Sequence, residues 1–159
     1  MIPITVKIAD HAIACGVEQL VTIGLGSCVA IALYNREAQV GALAHVLLPN
    51  AAPFAVPVSI GKFAATAVPA MLQRMRECGA HGIVDARLIG GATMFAPLSN
   101  SGAPSLGTRN IIAARAACVA AQIPIIAEDV GGAHGRSVYF DVADGAVLVR
   151  AMMRADVLL

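Results

Sequence analysis

One cysteine in this chain stands where an enzyme could hold a nucleophile. Cys28 follows a turn with two glycines, Gly24-Leu25-Gly26-Ser27, and precedes a run of residues typical of a β-strand. Glycine allows backbone conformations that other residues avoid, and it lets a substrate approach the backbone closely. Backbone N–H groups at such a turn can converge on one point and stabilise an oxyanion. We therefore predict that Cys28 is a nucleophile and that Gly26 and Ser27 contribute substrate or oxyanion contacts.

A cysteine nucleophile needs a base, because the thiolate is the reactive form. His45 is the candidate, since two β-rich runs over residues 29–34 and 40–48 are separated by a short polar segment that predicts a hairpin. Pairing outwards from that loop places residue 28 opposite roughly residues 45–47. A protonated His45 would then hold the pKa of Cys28 below the value of about 8.5 for a free cysteine. The alternative is that Cys28 is a small buried hydrophobe and His45 a hydrogen-bonded core histidine.

Other residue patterns give less support for a specific chemistry. His11 and Cys15 are four residues apart and Cys78 and His81 are three apart, but a structural zinc site takes four ligands and nothing completes either pair. Ser27 does not stand in a G-x-S-x-G elbow, and the glycine pairs lack the pattern of a phosphate-binding loop. We expect no metal and no cofactor.

Composition excludes several classes of protein. The 159 residues fit a single domain spanning 1–159, and 58% apolar with 13% charged residues is the opposite of the balance in a disordered chain. A net charge of +1 without a basic block gives no support to a nucleic-acid partner. Four cysteines without a C-x-x-C pair, together with an N-terminus that lacks a signal-peptide pattern, predict free thiols in the cytoplasm. No uninterrupted apolar stretch of about 20 residues occurs, so we expect no membrane insertion.

The pattern along the chain predicts about eight strands and two helices. Apolar spacing predicts a helix over Lys62–Cys78, which either kinks or has its regular part begin at Pro69. A second helix is predicted to be capped by Thr108 or Asn110 and to run to about Gln122. Eight strands are predicted over residues 4–8, 19–23, 29–34, 40–48, 84–89, 123–127, 137–142 and 146–152, and a further short one over residues 12–16. Because several strands follow one another without a helix between them, the sequence favours an α/β fold with mixed or antiparallel sheets.

Five segments stand in a fixed order over about residues 20–145. They read GLGSCVA at 24–30, AHVLLP at 44–49, GGATMF at 90–95, LGTRN at 106–110 and DVGGAHGR at 129–136. Together they resemble the CheD family of chemoreceptor glutamine deamidases.

This resemblance implies a role for three residues: Cys28 as the nucleophile, His45 as its histidine and Thr22 as the residue that completes the catalytic set. It implies a layered α/β/β sandwich with helices on one side. It also implies hydrolysis of selected glutamines on methyl-accepting chemotaxis receptors to glutamate through a cysteine thioester. Some family members also act as receptor methylesterases. The alternative that the resemblance leaves open is a binding module that docks on a CheC-type phosphatase without significant catalysis.

Overall fold

A computed structural model describes residues 2–50, 59–95 and 102–159. Within these residues there are ten strands, two α-helices and one short 3-10 helix (Ile60–Lys62). The strands are β1 (Ile4–Thr5), β2 (His11–Cys15), β3 (Gln19–Leu25), β4 (Val29–Asn35), β5 (Val40–Val46), β6 (Asp85–Gly90), β7 (Ile125–Val130), β8 (Arg136–Asp141), β9 (Val147–Arg150) and β10 (Val157–Leu158). The helices are α1 (Ala64–Glu77) and α2 (Leu106–Ala120). The sequence also predicts a proline-rich loop over residues 50–61 and a loop rich in Pro, Gly, Ser and Asn over residues 95–105, and both lie largely outside the described residues.

The strands form two five-stranded sheets. One sheet has the order β1-β3-β8-β9-β10 and the other has the order β2-β5-β4-β6-β7. Strand β1 pairs with β3 in parallel and β6 pairs with β7 in parallel, whereas the other pairings are antiparallel. Both sheets are therefore mixed, as the order of the elements predicts.

The molecule has three layers, because both helices pack on the same face of the second sheet. Alternate residues of β4 (Val29, Ile31 and Leu33) join helix residues such as Met71 and Met75 in one core cluster. The residues between them on β4 face the first sheet and form a second cluster with its side chains. The expected α/β/β sandwich with helices on one side is confirmed. Every residue of β4 is buried, which explains why its sequence reads as a continuous apolar run rather than an alternating one.

Helix α2 begins differently from the sequence prediction. Ser105 is the N-cap, and its hydroxyl oxygen accepts a hydrogen bond from the backbone N–H of Thr108 at 3.2 Å. The prediction of a cap at Thr108 or Asn110 is wrong, because the helix starts at Leu106 and places both residues inside its first turns. Helix α1 includes Pro69 and begins before it, so the proline does not mark its start.

Both ends of the chain also differ from the sequence prediction. Strand β1 covers two residues rather than five, since only Ile4 and Thr5 pair with β3. The two-residue strand β10 was not predicted from the sequence. Among the described residues, no helix combines the length and the apolar character needed to cross a bilayer.

Candidate active site

The β4–β5 hairpin sets the relation between Cys28 and His45. Ala30 lies opposite His45 and Val29 opposite Val46, so one further step places Cys28 opposite Leu47. The predicted register is confirmed. Residues that lie opposite each other point to the same face of a sheet, and residues two apart on one strand share that face. The imidazole of His45 and the thiol of Cys28 therefore both belong to the layer between the two sheets, where Cys28 packs in the apolar cluster.

Thr22 reaches His45 from the other sheet. It lies on β3 and is fully buried, as is His45. The distance from Thr22 Oγ1 to His45 Nδ1 is 2.7 Å, and Thr22 Oγ1 also lies 2.7 Å from the carbonyl oxygen of Val6. The structure thus brings together Thr22 and His45, which the sequence separates by 23 positions.

These two contacts assign the tautomer of His45. The hydroxyl of Thr22 has one proton, and the carbonyl oxygen of Val6 can only accept, so Thr22 donates to Val6. The Thr22 oxygen must then accept from Nδ1–H of the imidazole, which leaves Nε2 without a proton in the neutral ring. Nε2 is buried and has no hydrogen-bond partner within residues 2–50, 59–95 and 102–159. His45 therefore presents the lone pair that a general base requires.

The thiol and the imidazole are both uncharged at neutral pH. Burial raises the pKa of the Cys28 thiol, although its own backbone N–H acts in the opposite direction. Burial lowers the pKa of His45 to about 4. The expected thiolate–imidazolium pair with a lowered Cys28 pKa is therefore wrong for this structure, because both groups lie in an apolar layer that disfavours their charged forms. In addition, the unpartnered Nε2 shows that no hydrogen bond joins Cys28 to His45.

The turn before Cys28 packs tightly against the segment that follows β6. The carbonyl oxygen of Gly26 accepts a hydrogen bond from Ala92 N–H at 2.9 Å, and a Cβ atom at Gly26 would lie 3.1 Å from the sulfur of Met94. Gly90 has a φ of +108°, and a Cβ there would collide with the carbonyl oxygen of Cys28. Glycine at position 90 is therefore required both for its conformation and for the close approach of the two backbones.

Two backbone donors at this turn are available. Among the described parts of the chain, the N–H of Ser27 has no hydrogen-bond acceptor, and the N–H of Cys28 has none besides its own thiol. Both belong to the turn at which the sequence predicts oxyanion contacts.

A cavity of about 300 Å³ opens beside the turn. It is lined by Ser27 together with residues of the segments after β6 and before α2. Its rim is apolar and accessible, since Met94 is 51% and Phe95 is 85% exposed. A larger cavity of about 540 Å³ lies between α1 and α2, where alanines form much of its lining. None of Thr22, Cys28 and His45 lines either cavity, but the smaller one reaches Ser27, the neighbour of Cys28.

Asn110 is a residue of this site to which the sequence assigned no role. Its side-chain Nδ2 donates to the carbonyl oxygens of Ser27 at 2.8 Å and Leu47 at 3.1 Å. The residue is fully buried, although it lies on α2. It connects the turn that carries Cys28 to the residue that follows β5, and β5 carries His45. A polar residue in the first turns of a helix suggests only a cap locally, so no local signal could reveal partners 63 and 83 positions away.

The charged residues of the DVGGAHGR segment form a cluster behind Gly90. Arg136 is buried, with its Nε 3.4 Å from the Asp129 carboxylate and one terminal nitrogen 3.5 Å from the carbonyl oxygen of Gly90. Asp129 also accepts two hydrogen bonds from Arg154, at 3.0 and 2.7 Å. Burial raises the pKa of Asp129, but the hydrogen bonds and charges of the two arginines outweigh it and hold that pKa below its usual range. The cluster therefore borders the site through Gly90, and His134 adds its carbonyl oxygen at 3.4 Å from Arg136.

Comparison with known proteins gives consistent results. A family model described as CheD chemotactic sensory transduction matches residues 47–151. A Geobacter metallireducens protein named probable chemoreceptor glutamine deamidase CheD 2 is 44% identical over 159 residues, which cover 95% of this chain and 94% of that protein. Proteins named probable chemoreceptor glutamine deamidase CheD from Desulforamulus reducens and Clostridium kluyveri are each 38% identical and cover 94% of this chain, and 90% and 93% of their own lengths. The family match begins after His45, whereas the similarity to the relatives extends over most of the chain.

Proposed function

The chain belongs to the CheD family, and on that premise we propose that it is a protein-glutamine glutaminase of the cytoplasm. Its substrates are side-chain amides of selected glutamines on the cytoplasmic part of methyl-accepting chemotaxis receptors, which a single domain over residues 1–159 converts to glutamate. The names of the relatives, which specify chemoreceptor glutamine, support this substrate class. The observation that carries the proposal is the hydrogen bond from His45 Nδ1–H to Thr22, which leaves Nε2 free on the face that Cys28 shares.

The reaction begins with a neutral thiol and a neutral imidazole. As the glutamine amide approaches, Nε2 of His45 takes the proton of Cys28 while the sulfur forms a bond to the amide carbon. The carbonyl oxygen becomes an oxyanion, and the N–H groups of Ser27 and Cys28 stabilise it. The imidazolium returns the proton to the amide nitrogen, the C–N bond breaks, and ammonia leaves a thioester on Cys28.

Hydrolysis of the thioester repeats these steps with water as the nucleophile. His45 takes a proton from water, the hydroxide adds to the thioester carbon, and the C–S bond breaks. The sulfur leaves and recovers its proton from His45, so the net reaction is amide plus water to carboxylate plus ammonium. Thr22 holds the ring in one tautomer throughout, in the place that a carboxylate takes in other triads.

Starting from neutral groups has a chemical consequence. A thiol that ionises only as it attacks is nearly unreactive toward small electrophiles, because its burial disfavours a free thiolate. The substrate itself must complete the geometry, which agrees with the absence of a hydrogen bond between Cys28 and His45 here. At neutral pH the enzyme would therefore react with a docked glutamine and only slowly with thiol reagents.

The substrate reaches the site through the cavity beside Ser27. The exposed Met94 and Phe95 give its rim an apolar surface suited to a protein segment that presents a glutamine. We propose that these two side chains contact the receptor next to the modified residue.

One further activity is compatible with the same site, and one alternative function requires no catalysis. A methyl ester on a receptor glutamate presents the same acyl carbon with methanol as the leaving group, so methylesterase activity follows from the same steps. The binding-only alternative is docking on a CheC-type phosphatase, which requires no chemistry at Cys28. Activity measured without any phosphatase distinguishes it from the catalytic proposal.

The test is mass spectrometry of a receptor cytoplasmic fragment after incubation with the full chain. Each deamidated glutamine gains about one mass unit through the exchange of amide for acid. We expect this gain with the unmodified protein and with Cys118→Ala, a matched control that removes a buried thiol from the helix-side core. We expect no gain with Cys28→Ala. A protein that modifies no glutamine, or a Cys28→Ala variant as active as the control, would overturn the proposal.

A further inference from the structure

Two exposed cysteines meet at the rim of the molecule, away from the proposed active site. Cys15 is the last residue of β2, which is an edge strand of the second sheet, the one on which the helices pack. Along β2, Ala12 and Ala14 face the layer between the sheets, whereas Ile13 packs against the helix-side core. Because side chains alternate along a strand, Cys15 points to the same side as Ile13, toward the helices.

Cys78 reaches this rim from the helix. Met71 and Met75 of α1 are fully buried against the sheet, and Cys78 follows them at spacings of seven and three, on the same stripe of the helix. It is the C-cap residue of α1, and its backbone N–H donates to the carbonyl oxygens of Arg74 and Met75. The helix packs against β2 and β5. The segment that follows α1 and the end of β2 both reach the loop between β4 and β5: a Cβ at Gly82 would lie 3.7 Å from Glu37 Oε2, and Gly16 N–H donates to the carbonyl oxygen of Gln39 at 2.9 Å.

Cys78 lies near enough to Cys15 to affect its ionisation. Burial is the largest cause that raises the pKa of Cys15, and the charge of the Cys78 thiolate raises it further. The Glu18 carboxylate, which also accepts from the backbone N–H of Cys15 at 2.8 Å, acts in the same direction. Two accessible thiols that different elements bring to the same corner of the molecule are the arrangement from which a disulfide can form.

We propose that Cys15 and Cys78 are a redox modification site that closes to a disulfide linking β2 to the end of α1. The co-reactant is a low-molecular-weight disulfide such as oxidised glutathione. One of the two thiolates attacks a sulfur of that disulfide, which forms a mixed disulfide and releases one glutathione thiolate. The second protein thiolate attacks the protein-bound sulfur of the mixed disulfide and releases the second glutathione. The protein thiols are thereby oxidised by two electrons, the glutathione disulfide is reduced, and the two thiol protons pass to the two released glutathiones.

The bond would constrain the part of the chain that holds the proposed catalytic residues. The loop closed between residues 15 and 78 contains Thr22, Cys28 and His45. The segment just before β2 forms two hydrogen bonds with the backbone of His45. Ala9 N–H donates to the carbonyl oxygen of His45 at 2.9 Å, and His45 N–H donates to the carbonyl oxygen of Asp10 at 3.0 Å. A disulfide at the other end of β2 therefore stabilises the strand next to His45 without placing a sulfur in the active site.

The experiment uses the full chain in buffers of oxidised and reduced glutathione. Peptide mass spectrometry without reduction should find a Cys15–Cys78 cross-link within one chain, about two mass units lighter than the two thiol peptides. Closing so long a loop should raise the Tm by roughly 10 °C, and reduction should reverse the rise. Cys15→Ser and Cys78→Ser should each remove both effects, while Cys118→Ala should keep them. The proposal would be overturned by glutathione adducts on separate cysteines, by a disulfide to another cysteine or between two chains, or by a Cys15–Cys78 pair that stays unmodified.

Discussion

Thr22 connects the two sheets at the proposed active site through one hydroxyl group. It donates to Val6 and accepts from His45, both at 2.7 Å, so a single oxygen fixes which imidazole nitrogen carries the proton. A hydroxyl adds no charge, unlike the carboxylate of other triads, and His45 stays neutral in its apolar surroundings, with its pKa lowered to about 4 by burial. Its contribution is therefore one of orientation.

The role of the Thr22 hydroxyl can be separated from the role of its shape. Thr22→Val keeps the β-branch and the approximate volume but loses both hydrogen bonds. Removing such a neutral orienting bond is worth roughly 1–2 kcal/mol, which is about a 5- to 30-fold loss in turnover, with little change in substrate affinity. Thr22→Ser keeps the hydroxyl and should retain more activity. The rank order of kcat on one receptor fragment at one pH is the measurement, and a Val variant more active than the Ser variant would show that only strand propensity matters here.

The protonation state of Cys28 gives a second prediction. Its alkylation by iodoacetamide, followed by mass spectrometry across pH, should have a midpoint above the value of about 8.5 of a free cysteine, because burial raises its pKa. His45→Gln should leave that midpoint in place, since a neutral imidazole provides no attraction for the thiolate. Cys118, whose pKa burial and Glu128 raise to about 11, should react at still higher pH. A midpoint below that of a free cysteine that rises in His45→Gln would instead establish an ion pair.

At the residue scale, the sequence predicts which residues form the site better than it predicts their protonation states. Cys28 and His45 were found from a glycine turn and from counting along a hairpin, and the register confirms the counting. Their ionisation depends on the first sheet, which packs over both groups and excludes water. No pattern local to either residue contains that information.

At the scale of elements, Asn110 joins the turn to the hairpin. Its two hydrogen bonds link Ser27 and Leu47, so α2 holds together the two segments that carry the proposed nucleophile and base. This is a positioning role, because its contacts are to backbone carbonyls rather than to the reacting atoms.

Asn110→Ala should lower kcat by about 5- to 30-fold while KM changes less, because the loss of two neutral hydrogen bonds loosens the turn by an energy of roughly 1–2 kcal/mol. Asn35→Ala is a matched control. Asn35 is equally buried, and its Nδ2 donates to Ile83 while its Oδ1 accepts from Ala38, at the opposite end of the same hairpin. Both variants should lose comparable stability in urea unfolding. Equal losses of kcat in the two variants would show that Asn110 only stabilises the fold and does not position the site.

The elements themselves were predictable where their pattern is local. The β4–β5 hairpin and α1 follow from apolar runs and helical spacing. Strand β10 and the shortness of β1 were not predictable, because two-residue strands form only where a neighbouring strand offers an edge. The cap at Ser105 was missed because Thr108 and Asn110 are also residue types that favour an N-cap, and the sequence alone does not show that the helix already begins at Leu106.

At the scale of the whole molecule, the three layers explain why His45 is a strongly shielded base. One sheet carries the imidazole, the other covers it, and the helices close the far side. Such burial has a thermodynamic consequence, because a histidine that stays neutral in the folded state still binds a proton when the chain unfolds.

The stability of the protein should therefore fall as the pH is lowered from about 6.5 toward 4. The unfolded chain binds a proton at His45 below about 6.5, whereas the folded chain binds it only near 4. The contribution is fully present above 6.5, and the loss reaches at most roughly 3 kcal/mol at the acid end. The free energy of unfolding measured in urea at several pH values is the readout.

His45→Gln is the control for this dependence. It removes the titrating group, so its unfolding free energy should change much less between pH 6.5 and 4.5 than that of the unmodified chain. Asp129 and Glu128, whose pKa values lie below their usual range, act mainly below this window. The same slope in both proteins would show that His45 is not the group responsible.

The central claim is that Cys28 forms a thioester with the side chain of a receptor glutamine. The most direct measurement is to add hydroxylamine during turnover on a receptor fragment and to identify the modified side chains by mass spectrometry. A thioester is captured by hydroxylamine, so we predict that hydroxamate appears at the deamidated glutamines with the unmodified protein and with Cys118→Ala, and at none with Cys28→Ala. Deamidation that continues in Cys28→Ala, or that gives glutamate without hydroxamate at any hydroxylamine concentration, would contradict the account.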